Sequence, residues 1–66
     1  MSLSEQEIKE IKDQMLEKVL ALDSYVNACK LLLTGTETFH SNRFARCLSE
    51  MDKLRTELNL LYCKIM

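Results

Sequence analysis

The sequence predicts an all-α protein, an antiparallel two-helix hairpin of coiled-coil type that is completed by dimerisation or by a partner protein. Apolar residues recur at helical spacing in two stretches of nearly equal length, Leu3 to Leu33 and Phe39 to Ile65. The single glycine, Gly35, stands between them, and no proline punctuates either stretch. At 66 residues the chain has room for one domain, residues 1–66. Within it, helix one is expected over about 5–33, a turn over about 34–38 and helix two over about 39–65.

The start of helix one is the best specified boundary. Ser4 and Glu7 have the spacing of a capping box, in which the hydroxyl accepts from the Glu7 amide and the carboxylate accepts from the Ser4 amide. Leu3 and Ile8 have the spacing of a hydrophobic staple, and Glu5, Glu7 and Glu10 put negative charge at the positive helix end. Along the helix, Ile8, Ile11, Met15, Val19, Leu22, Val26, Cys29 and Leu33 form the expected core stripe. Leu16, Leu20, Leu31 and Leu32 lie off it, so the apolar surface is wider than one neighbouring helix covers. Gly35 sits where a left-handed residue commonly closes a helix, and Thr36 or Thr38 is placed to cap the next one.

Helix two follows a stricter rule. Phe44, Cys47, Met51, Leu54, Leu58, Leu61 and Ile65 alternate steps of three and four without a break, the seam spacing of a coiled coil. Leu48 and Tyr62 broaden it on one flank. A tight turn pairs residues whose numbers add to about 71 or 72. That register puts Cys29 near Arg43, Cys47 near Tyr25 and Cys63 near Lys9, so no internal disulfide is expected.

Composition excludes several kinds of function. The formal charge of −1 divides into −2 for residues 1–33 and +1 for residues 34–66, too balanced for a nucleic-acid arm, and Glu50, Asp52 and Glu57 interrupt the basic residues of helix two. Aliphatic runs such as Leu31-Leu32-Leu33 are far too short to insert in a membrane, and no leader pattern opens the chain. Three cysteines without a close pair point to free thiols, hence a cytoplasmic setting. His40, the one histidine, has no ligand-spaced companion, so no metal or cofactor is expected, and no constellation suggests an enzyme or a small-molecule substrate.

What remains is association. Two helices packed only on each other leave half of each cylinder wet, and their burial must offset roughly 1.5 kcal/mol of conformational entropy per ordered residue. Another protein, either a helical partner or a second copy, is expected to cover the surplus. Leu31, Leu33, Phe44, Leu58 and Leu61 are the candidate partner-binding residues.

Two family resemblances bear on this. The run Lys30-Leu31-Leu32-Leu33-Thr34-Gly35, followed by Glu37, Phe39, Phe44 and a striped helix ending in Leu60-Leu61-Tyr62, resembles in layout the small co-chaperones of type III secretion needle subunits. That resemblance implies a cytosolic hairpin that joins a larger helical-repeat chaperone and keeps a needle subunit unpolymerised. The run Leu48-Ser49-Glu50-Met51-Asp52-Lys53-Leu54 is similar to the Ser-Gln-Glu-Leu-Asp signature of sporulation-phosphorelay phosphatases, with Leu48 where the serine and Ser49 where the glutamine would stand. It implies an aspartyl-phosphate phosphatase in which Asp52 or Glu50 orients water. The leading expectation is a protein-binding module of the chaperone or assembly-subunit kind. A homo-oligomeric bundle and a small phosphatase are the alternatives.

Overall fold

The computed structural model describes residues 3–35 and 38–66 of the chain. Two helices, α1 (Glu5–Thr34) and α2 (Ser41–Ile65), run antiparallel and pack along their length. The hairpin measures 53 × 14 × 11 Å, with a radius of gyration of 15.6 Å. A compact globule of this length would have a radius of about 11 Å, so the chain is one helix pair thick everywhere.

α1 begins as its sequence dictates. Ser4 is the N-cap in extended backbone, its hydroxyl accepts from the Glu7 amide at 3.2 Å, and the Glu7 carboxylate accepts from the Ser4 amide at 3.3 Å. At the other end the Gly35 amide donates to the Leu31 carbonyl at 2.9 Å. Gly35 is not left-handed, contrary to the expectation for a closing glycine: its φ of −68° and ψ of 152° are extended. Its small size serves a close approach instead. A Cβ there would lie 3.0 Å from the Leu31 carbonyl oxygen, tighter than an ordinary carbon–oxygen contact.

α2 starts at Ser41, two residues later than expected. Its N-cap is His40, whose side chain makes no capping bond and whose carbonyl accepts from Phe44 at 3.0 Å. Thr38 does not cap it, and Thr36 lies outside the described residues. Phe39 is held out of the helix by folding back on Phe44, with ring centroids 5.5 Å apart and planes tilted by 57°. The uncapped start has no acidic residue in its first turn either. His40→Asp is therefore expected to stabilise the hairpin by about 1 kcal/mol, a rise in melting temperature of roughly 4–8 °C measured by circular dichroism. An unchanged melting temperature would show that this end of α2 frays before the hairpin melts.

The later start resets the register. Lys18 Nζ meets Glu57 Oε2 at 2.8 Å, and the Cys29 side chain meets Cys47, so residues whose numbers add to 75 or 76 face each other. The expected neighbours of the cysteines are thereby corrected by about one helical turn. Cys29 and Cys47 are partners across the seam, while Cys63 is exposed. The cause is the connection: the chain leaves α1 at Thr34 and enters α2 at Ser41, so the midpoint of the turn lies further along the chain than a turn over 34–38 places it.

The seam of α2 is the predicted one, with Phe44, Cys47, Met51, Leu54, Leu58, Leu61 and Ile65 all buried or half-buried. The seam of α1 differs from the predicted stripe after Met15. It runs Ile8, Ile11, Met15, Lys18, Leu22, Tyr25, Cys29 and Leu32, again strict steps of three and four, whereas Val19, Val26 and Leu33 stay exposed. A supercoiled partner selects the 3.5-residue repeat, and in α1 only the row through Lys18 and Tyr25 keeps that repeat unbroken. Lys18 lays its stem along the seam and puts its ammonium on Glu57 at the rim.

Candidate protein-binding side of the hairpin

An antiparallel helix pair has two long sides, and here they differ. On one side lie Gln14, Ala21 and Ala28, each one residue before a seam position of α1. On the other lie Val19, Val26 and Leu33, each one residue after a seam position.

The first side is polar along α2, where Arg43, Glu50, Glu57 and Lys64 follow one another, and Leu31 and Leu60 are its exposed leucines. Gln14, Lys18, Glu57, Leu60, Leu61 and Lys64 line a shallow groove there, closed by the Lys18–Glu57 ion pair. The hydrogen bond from Lys18 is the main reason that the Glu57 carboxyl is held below the usual glutamate range, with a smaller contribution from the charge of Lys53. A lowered folded-state value stabilises the hairpin above the ordinary glutamate pKa of about 4.3, and that contribution is lost as pH falls through the lower folded value. Because both partners are about one-third exposed, the effect is small and screened by salt. The expected result is a melting temperature that falls in acid below pH ~4, a fall that Lys18→Met reduces and 1 M salt blunts. An acid response identical in Lys18→Met would assign it to other carboxylates.

The Val19 side is apolar on both helices. Val19 and Val26 on α1 and Leu48 and Tyr62 on α2 are each nearly half exposed, and Leu16 is 57% exposed beside them. Two grooves run along it. Leu22, Leu48, Met51, Asp52 and Arg55 line one, and Met15, Arg55, Leu58, Asn59 and Tyr62 line the other. They share Arg55 and so form one trough. Its only charged pair is Arg55 with Asp52 at 3.0 Å, with side chains 77% and 70% exposed.

The candidate residues named from sequence divide sharply. Leu61 is buried and Phe44 and Leu58 are half-buried in the seam, so these three face the opposite helix and are not available to a partner while the hairpin is closed. Leu33 is exposed in the Val19 row. Leu31 is the most exposed leucine and belongs to the other side, where it lines a groove at the turn end with Ala28, Leu32, Arg43, Arg46 and Cys47. Val19, Val26, Leu48 and Tyr62 were not among those candidates, although a seven-residue step joins Val19 to Val26 to Leu33. That step is the signal that marks a row beside a strict seam.

The Glu50-Asp52 run does not converge on one point. Two residues apart on a helix are about 200° apart around its axis. Glu50 is half-buried, whereas Asp52 is exposed and held by Arg55. Among the described residues no group of three histidine, cysteine, aspartate or glutamate side chains could hold a metal ion. No helix of the described residues is long and apolar enough to cross a membrane. Comparison with protein-family models, curated proteins and solved structures finds no match for the chain.

Proposed function

We propose that the chain is a protein-binding module of the co-chaperone or assembly-subunit kind, which presents the Val19 side of a helical hairpin to a helical segment of protein. One observation supports this above the others: a trough bordered by exposed apolar residues of both helices, Val19, Val26, Leu48 and Tyr62, and crossed at one point by the Arg55–Asp52 pair, on a chain whose own seam leaves these residues uncovered. A trough that runs along a helix pair suits a helix that contributes apolar residues at steps of three and four. The layout shared with the type III secretion needle co-chaperones is in keeping with such a role, since a co-chaperone needs an apolar side and no chemistry of its own.

A photo-crosslinking side chain placed at Leu48 or Val26 tests the assignment in the cell of origin. Protein adducts of discrete mass are expected from both positions and not from Asp13 on the back of α1. Adducts formed equally from Asp13, or from none of the three, would reject the Val19 side as a binding surface.

A further inference from the structure

We propose that the occupant of the Val19 side is a second copy of this chain, laid face to face and antiparallel to give a four-helix bundle, an inference that rests on the protein-binding role of that side. The first support is area. The chain exposes 5571 Å², whereas a compact monomer of 7.7 kDa exposes about 4,300 Å². The surplus of about 1,200 Å² exceeds the roughly 800 Å² per partner that a stable interface of standard size covers.

The second support is self-complementarity. A two-fold axis lying in the interface, perpendicular to the helices, sets α1 over the α1 of the second copy and α2 over its α2. Crossing α1 between Leu22 and Asp23, it places Val19 over the second copy's Val26. Crossing α2 between Lys53 and Leu54, it places Asp52 over the second copy's Arg55 and Tyr62 over the second copy's Ala45. Apolar contact on α1 and charge pairing on α2 each define a crossing point, and the register fixed by Lys18–Glu57 and Cys29–Cys47 holds the two at the same level of the hairpin. A single axis therefore satisfies both. The intrachain Asp52–Arg55 pair, already one turn of α2 and largely exposed, needs only side-chain rotation to pair across the interface.

Light scattering on the purified chain across a concentration series is the test. The expected result is a mass of two chains, reduced to one chain in Val26→Lys with helical circular dichroism retained at high protein concentration. Because the variant hairpin could unfold once uncovered, a charge pairing serves as the second measurement. Asp52→Arg and Arg55→Asp are each expected to weaken self-association about tenfold, and an equimolar mixture of the two to restore it as a mixed dimer. A dimer that is indifferent to Val26→Lys, or single variants whose mixture does not recover, would overturn the proposal. So would a one-chain mass at every concentration, and binding of an apolar dye then separates the two levels of inference. Dye bound by the wild type and not by Val26→Lys leaves a binding side whose occupant is another protein, whereas no dye bound by either removes the binding role as well.

Discussion

Leu61→Ala is expected to abolish most helical circular dichroism at 25 °C, while Leu60→Ala, one residue away, leaves it within experimental scatter. Leu61 is 7% exposed and is, with Cys29, one of the two buried residues among those described, whereas Leu60 is 60% exposed on the outer surface of α2. Truncating a buried leucine costs about 2–5 kcal/mol through lost burial and the cavity left behind. A 66-residue chain with one seam has only a few kcal/mol to lose. Neighbouring helices that meet along a single seam cannot collapse around the gap without giving up contacts above and below it, which places the loss toward the upper end. Exposed leucines lack that penalty, and their replacement by alanine, the best helix former, changes stability by about 0.5 kcal/mol or less. Chemical denaturation of the two variants in parallel checks the assignment. Equal losses would mean that α2 is rotated relative to the seam described here.

The second large effect is covalent. Oxidised glutathione is expected to close a disulfide between Cys29 and Cys47 and to raise the melting temperature by roughly 10–20 °C, since the bridge closes a loop of about 18 residues that includes the whole turn. Cys47, the more accessible of the two, attacks the glutathione disulfide and releases one glutathione thiol. Cys29 then resolves the mixed disulfide, releasing the second, so that two protein thiols become one disulfide and two glutathione molecules are formed. Burial, and after it the neighbouring Cys47, pushes the Cys29 thiol above its usual range. The resolving step is therefore slow at neutral pH and accelerates in mild alkali. In Cys63→Ser, intact mass shows the outcome as a loss of about 2 Da in the protein, and no such loss once Cys29→Ser is added. The wild type closes the same bridge and carries in addition one glutathione on Cys63, which is exposed and has no partner thiol to resolve the mixed disulfide. A persistent glutathione adduct in place of the internal bridge would show that the two sulfurs cannot approach without moving the helices apart.

The corrections have a common origin in what one helix can and cannot encode. Capping of α1 was legible because Ser4 and Glu7 act within one turn, where sequence distance equals spatial distance. The seam of α2 was legible because only one flank, through Leu48 and Tyr62, competes with it. α1 offers two apolar rows after Met15, one through Lys18 and Tyr25 and one through Val19 and Val26. Hydrophobicity favours the second row, but the packed structure uses the first. Pairing with a supercoiled neighbour rewards an unbroken 3.5-residue repeat more than it rewards two extra aliphatic side chains, and Lys18 and Tyr25 can bury their bodies while keeping polar tips at the rim.

The sequence by itself determined the number of helices, their lengths to within a turn, the starting cap of α1 and the seam of α2, all of which depend on periodicity and on contacts three or four residues apart. Only the tertiary structure decided the register, the meeting of Cys29 with Cys47, and which apolar row of α1 faces solvent. Those follow from where the chain stops turning and from the groove geometry of the opposite helix, neither of which is encoded in the spacing of residues along a single helix.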